Sequence, residues 1–247
     1  MRWFSLNRLT GVVLAAGLGL ATSLSAQAET PKAVVELFTS QGCSSCPPAD
    51  QFLEELVSDQ KDVVTLSYHV DYWDYFGWKD TLGSPVFTQR QKDYAKSRGD
   101  AQIYTPQVVV NGRGHMVGSD RRSVKNAIRK SSGMTVQVEA MLDDSALEVQ
   151  LSGSLKEPGK KADVYLLGID KEAVVEIQRG ENAGTTQTYK NVVRSIMPIG
   201  MWSGAAEVFR LPRTALKMFD SKNWAVLVQT NSGEMPGEII GAAFYDK

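Results

Sequence analysis

The sequence predicts an α/β first half followed by a β-sandwich-like second half, and three observations carry that expectation. An apolar run at 34–38, a helical stripe at 49–57 and a second apolar run at 63–66 read as strand, helix, strand. Thr105-Pro106 precedes another apolar run and the Asn111-Gly112 turn signal, which together read as a hairpin. From about residue 135 short alternating runs are separated by turn residues, the texture of packed antiparallel sheets.

Residues 1–28 read as an export signal. Arg2 and Arg8 supply the basic start, 9–20 is apolar, and Ala26-Gln27-Ala28 is an A-x-A cleavage site. The competing reading is a retained anchor, for which the apolar run is short. Cleavage predicts a periplasmic or secreted protein, in a compartment where disulfides persist. The rest divides into 29–133, carrying a CxxC motif, and a β-rich part at 134–247. A net charge of −1 gives no basic excess, so nucleic acid is not expected as a partner.

The first strand leads into the two cysteines of the chain, Cys43 and Cys46. After them Pro47 suits the first helical turn, where its missing N–H has no partner to lose. Ala49, Phe52, Leu53, Leu56 and Val57 then form one buried helical face. The dithiol therefore sits at the amino end of a helix, whose unpaired N–H groups and partial positive charge favour a thiolate. In such places a cysteine pKa falls from about 8.5 into the range of roughly 3.5–7.5. Cys43, at the lip, is the expected attacking thiolate, and Cys46 the resolving one. Metal binding and a structural disulfide are the rival readings. Against a staple, a two-residue gap closes too small a loop to constrain the unfolded chain much.

Val63, Val64 and Leu66 form the second strand. The right-handed crossover brings its end to the same sheet edge as the cysteines. His69 and Asp71 then lie near the dithiol as candidate proton shuttles. The alternative for His69 is a local hydrogen bond. Five aromatics follow within 72–78, either a satellite core under a loop or the wall of a groove. Ser84-Pro85 opens a second helix, with Phe87, Gln91, Tyr94, Ala95 and Arg98 along one side, ending at Gly99. A proline at the head of an internal strand needs a reason, and a cis Thr105-Pro106 bond facing the dithiol supplies one. Val124, Ala127 and Ile128 mark the inward face of a closing helix.

This order of elements, with CxxC and Thr-Pro in place, resembles the thioredoxin superfamily over about residues 32–131. More narrowly, 35–50, 68–74, 104–112 and Arg179-Gly-Glu-Asn182 resemble the domain-of-unknown-function 1223 family of exported bacterial proteins. The resemblance implies a thioredoxin-like domain with Cys43 and Cys46 as its redox pair. It also implies that Thr105 and Pro106 hold substrate backbone. Ser44-Ser45 departs from the intervening pairs of the better-known disulfide enzymes, and that pair tunes redox poise.

The second half carries runs at 136–140, 147–151, 164–167, 192–196, 206–211, 224–228 and 239–244. No cysteine or histidine lies there, so no chemistry is assigned to it.

The function expected is thiol–disulfide oxidoreductase. Its substrate is an exported protein or a small thiol or disulfide, with a membrane or periplasmic redox partner and no organic cofactor or resident metal. Two alternatives stand beside it. One is Cu(I) handling by the two thiolates with His69, His115 or Met116. The other is a non-catalytic binding protein. Haem attachment is not expected, since Pro47 rather than His follows Cys46.

Overall fold

The computed structural model describes Met1 and residues 30–157, 159–219 and 221–245. The expected export signal at 1–28 lies outside these residues apart from Met1.

Strand β1 (Ala33–Thr39) and strand β2 (Val63–His69) are buried along their whole lengths, as near-continuous apolar runs in a covered sheet must be. They pair in parallel from Ala33↔Val63 to Thr39↔His69, so both carboxyl ends reach one edge. Helix α1 (Pro47–Asp59) connects them. It buries Ala49, Phe52, Leu53 and Leu56 against Val35 and Leu37 of β1. Helix α2 (Pro85–Arg98) covers the opposite face, with Phe87 and Tyr94 packed among Phe38, Tyr68 and Val109. The Ser84 side chain accepts the Val86 N–H at its start, and Gly99 ends it in the left-handed region at φ 74°. Strands β3 (Gln107–Val110) and β4 (Gly114–Val117) form the expected hairpin, with β3 antiparallel to β1. Helix α3 (Arg121–Lys130) adds Val124 and Ile128 to the core under α1.

The second half overturns the expected fold class. It does not form a β-sandwich beside a thioredoxin-like α/β domain. Four of its strands, β7 (Ala162–Ile177), β8 (Thr185–Trp202), β10 (Asn223–Ser232) and β11 (Met235–Tyr245), extend the first sheet. Eight strands run in the order β11-β10-β7-β8-β2-β1-β3-β4. Among the described residues the remaining strands, β5 (Val136–Leu142), β6 (Ala146–Gly153) and β9 (Glu207–Pro212), form a separate three-stranded sheet. The protein is therefore mostly β, with eleven strands among the described residues.

The join between halves is a parallel contact at Ser67↔Val192. The large sheet also curls. Leu167, Ile169, Ala225, Leu227 and Ile239 share one core with β2 and α2, although β10 and β11 end the strand order. On the other face Val164, Leu166, Val226 and Val228 pack against Val136, Leu147, Val149 and Leu151 of the small sheet. The alternation in β7 and β10 thus fills two cores, not one core and solvent. A buried Arg90–Glu36 ion pair at 2.8 Å, joined by Tyr94 and Gln229, ties α2 to β1 and β10.

The β7–β8 hairpin is long. Pairing of β7 with β10 stops at Ile169, and beyond it β7 pairs with β8 alone as far as Ile177↔Thr185. At about 3.3 Å per residue this projecting part spans more than 20 Å. It carries the hairpin tip to the dithiol.

Candidate functional site

Cys43 and Cys46 form a disulfide between the end of β1 and the start of α1, with Cα atoms 5.4 Å apart. The turn is built by its own backbone: Cys43 N–H donates to Ser40 O at 3.2 Å and Cys46 N–H to Cys43 O at 3.1 Å. Cys46 is the N-cap residue of α1, so its sulfur belongs to the positive end of the helix. Neither cysteine has exposed surface, whereas Ser44 and Ser45 do. The Ser45 hydroxyl lies 3.5 Å from Cys43 Sγ.

Thr105–Pro106 is a cis bond. Gly118 donates its N–H to Pro106 O, and a Cβ at Gly118 would stand 3.0 Å from Ala49 Cβ and 3.2 Å from Pro106 Cβ. The proline therefore lies beside α1, three residues past Cys46. Trp73 Nε1–H donates to Thr105 Oγ1 at 2.7 Å, which ties the aromatic segment to the residue before the proline. Trp78 Nε1–H donates to Gln41 Oε1 at 2.8 Å. The segment is anchored through its two indoles, on Thr105 and on the dithiol turn, while Tyr75 and Phe76 stay exposed.

Beneath the turn lies a buried polar cluster. His69 Nδ1 is 2.9 Å from Asp80 Oδ2, which also accepts the Gln41 N–H at 2.8 Å. Tyr189 of β8 packs edge-on to the His69 ring, with centroids 4.5 Å apart. Asp50, four residues past Cys46, faces the same cluster. His69 Nε2 and Asp50 Oδ1 are both buried without a hydrogen-bond partner. Burial pushes the Asp50 carboxyl up to about 7, an effect eased by His69 and the Thr39 hydroxyl and reinforced by Asp80. Burial acts on Asp80 too, but there His69 and the N–H groups of Gln41 and Leu82 outweigh it and hold the carboxyl below its ordinary value. Burial, with Asp50 and Asp80 nearby, raises the Tyr189 hydroxyl.

The sequence-predicted residues are only partly gathered here. Cys43, Cys46, Thr105, Pro106 and His69 surround the turn. Asp71 instead accepts the Thr88 hydroxyl of α2 at 2.6 Å. His115 is held elsewhere, with Nδ1 2.9 Å from the Tyr104 hydroxyl and Nε2 3.1 Å from Asp100. Burial and Arg98 lower its pKa, with Asp100 opposing. Among the described residues no group of three His, Cys, Asp or Glu side chains is arranged to hold a metal ion.

Sequence reasoning assigned no role to Asp50, Asp80, Tyr189 or Asn182, although Asp50 and Asn182 stand in the stretches that carry the family resemblance. Asp50 left a trace: a carboxylate beside Ala49 and three residues before Leu53, on the buried side of an amphipathic helix. Asn182 comes from the β7–β8 tip. Its Nδ2 donates to Gln41 O at 2.9 Å and to Cys43 O at 3.0 Å, while Ser44 N–H donates to Glu181 Oε2 at 3.3 Å. A groove of about 630 Å³ bordered by Val57, Lys61, Lys190 and Asn191 lies toward the other end of α1, away from these groups.

The family model described as "Protein of unknown function (DUF1223)" matches residues 34–229, a span that includes both the dithiol turn and the hairpin tip. A solved structure, protein AGR_C_4864 from Agrobacterium tumefaciens, is 36% identical with a TM-score of 0.77. The match covers 88% of this chain and 95% of that one. HBP35 of Porphyromonas gingivalis matches at 13% identity and TM-score 0.59, over 87% of this chain and 74% of that one, a likeness of fold alone. No curated protein matches.

Proposed function

The chain belongs to the DUF1223 family, and from that footing we propose that it is an exported thiol–disulfide oxidoreductase with a redox site of the thioredoxin kind. The observation that carries this reading is the Cys43–Cys46 disulfide at the start of α1, backed by the buried Asp50 carboxyl.

In the oxidising direction a substrate thiolate attacks Cys43 Sγ. The S–S bond breaks, a mixed disulfide forms, and Cys46 leaves as a thiolate at the helix start, where N–H groups and the helix dipole favour it. Asp50, poised near neutrality, is the group suited to give that thiolate its proton. A second substrate thiolate then displaces Cys43 Sγ. The products are an oxidised substrate disulfide and the Cys43/Cys46 dithiol, with two electrons and two protons transferred. The reverse sequence reduces a substrate disulfide. No organic cofactor enters either direction. Thr105 and Pro106, beside α1, are suited to hold the substrate chain, and the basic, apolar and A-x-A signals at 1–28 support export.

A Cys46→Ala protein tests this reading, because it lacks the thiol that resolves the mixed species. It should accumulate mixed disulfides with exported proteins through Cys43. Their absence overturns the proposal.

One observation favours a second reading, a structural clasp: both cysteines are without exposed surface. The reduction potential separates the two. A clasp sits below about −300 mV, whereas exchange catalysts lie between about −120 and −270 mV.

A further inference from the structure

The tip of the β7–β8 hairpin contradicts its own surroundings. Residues 178–181 and 183–186 are exposed, but Asn182 between them is buried. Gly180 and Gly184, both at φ +78°, flank the short turn that presents it. Its side-chain amide spans two carbonyls of the dithiol turn, Gln41 O and Cys43 O, and Glu181 takes the Ser44 N–H. A primary amide giving N–H to carbonyls, beside an oxygen accepting an N–H, offers the same groups as a stretch of extended polypeptide.

We infer that Gln41 O, Cys43 O and Ser44 N–H form a recognition edge for polypeptide backbone, and that Glu181 and Asn182 occupy it internally until a substrate chain displaces them. The inference rests on the oxidoreductase reading and assigns that site a partner class. With no exposed sulfur surface, any partner must first displace something. Trp73 is fastened to Thr105 and backed by the aromatic segment. The tip is held by the side-chain hydrogen bonds of Asn182 and Glu181 and by Gly180 lying against Phe76 and Trp78, with exposed residues on either side of Asn182, and such turn segments open before packed cores do. A polypeptide replaces the lost bonds as it enters. A small dithiol cannot.

The experiment follows reduction of the Cys43–Cys46 disulfide in the full mature chain by two reagents. One is dithiothreitol and the other a synthetic Ser/Gly-rich peptide carrying two cysteines. Wild type is compared with Asn182→Ala and Asn182→Asp. The aspartate keeps the shape but turns a carboxylate toward the two carbonyls, so it vacates the edge even if alanine lets the tip settle in place.

Each variant should react about tenfold faster than wild type with the peptide, the size expected when two hydrogen bonds holding the tip are lost. The ratio of peptide rate to dithiothreitol rate should also rise, because the vacated edge binds only the peptide. Rates within twofold of wild type, or a disulfide that stays closed in both variants, overturn the latch. Faster reduction with an unchanged ratio overturns the polypeptide edge. The oxidoreductase reading is scored separately, by the mixed disulfides of Cys46→Ala, so failure of one does not imply failure of the other.

Discussion

His69 Nδ1 and Asp80 Oδ2 lie 2.9 Å apart with neither side chain exposed. Because the same oxygen accepts the Gln41 N–H, the contact fastens the end of β2 to the dithiol turn. Asp80 Oδ1 meanwhile accepts the Leu82 N–H, so the carboxylate is spent on fixed partners. Asp50 is the opposite case. It is equally buried, but one oxygen lacks a partner. Two carboxyls in one cluster are thus pushed apart in pKa, the pattern that separates a structural charge from a titrating one.

The Asp80→Asn protein tests the structural half of that contrast. The substitution takes away a buried carboxylate that accepts hydrogen bonds from the Gln41 and Leu82 N–H groups and contacts His69 Nδ1. Hydrogen bonds to a charged group are worth about 1.5–3 kcal/mol, so the variant's urea midpoint should fall clearly at pH 7. The native Asp80 pKa lies below the ordinary 3.8, so its contribution is present above the unfolded value and is lost as pH falls through the native one. The gap between variant and wild type should therefore narrow on acidification below pH 4. A constant gap would mean that Asp80 acts only through shape.

Asp50 reverses the sign. Its native pKa of about 7 lies above the unfolded value, so the native state holds a proton that the unfolded state has released between roughly pH 4 and 7. Wild-type stability should fall across that window and level off above it, by up to roughly 4 kcal/mol at 1.36 kcal/mol per pKa unit. Asp50→Asn should flatten this slope and be the more stable protein at pH 8. It should also remove the inflection near pH 7 from the rate at which Cys46 is displaced. An unaltered rate profile would exclude Asp50 as the proton store.

Much of this site is legible in the sequence because its information is local. Val34 to Val57 writes strand, turn and helix in adjacent residues, and Ser84 and Gly99 bracket α2 by capping chemistry alone. The sheet is not legible in that way. Ser67 pairs with Val192, 125 residues further along the chain, and no periodicity encodes which distant strand a buried edge will choose. The stretch 185–191 offers Tyr189 as its one buried apolar side chain, packed on His69, so the sequence reads as a strand only from Val192, whereas β8 begins at Thr185. Asn182 likewise meets Cys43 from 139 residues away. Without a pairing partner in view, 134–247 reads as a sandwich of its own.

The Trp73–Thr105 bond links the aromatic segment to the residue before Pro106. A double-mutant cycle with Trp73→Phe and Thr105→Val should return a coupling of about 1 kcal/mol, the net worth of one hydrogen bond. Under the proposed function, in which Thr105 holds substrate backbone, each single variant should also slow exchange with a peptide dithiol more than with dithiothreitol. Additive effects would show that the indole packs there without positioning anything.

Gly118 tests how closely the proline must approach the dithiol helix. A methyl group at this position would stand 2.9 Å from Leu37 Cδ1, 3.0 Å from Ala49 Cβ and 3.2 Å from Pro106 Cβ. Leu37 can rotate away, but Ala49 has no rotamer to change, so α1 or the Pro106 loop must move. Overpacking of this kind costs about 1–3 kcal/mol. Gly118→Ala should lose that much stability in urea unfolding while its disulfide still forms. The displaced elements carry Cys46 and Pro106, so exchange with a peptide dithiol should slow beyond what the stability loss explains. Adding Ala49→Gly to Gly118→Ala removes the facing methyl and should restore much of the rate even though glycine weakens the helix. A rate that stays low in the double variant would show that the contact with Leu37, not the spacing of proline and helix, sets the geometry.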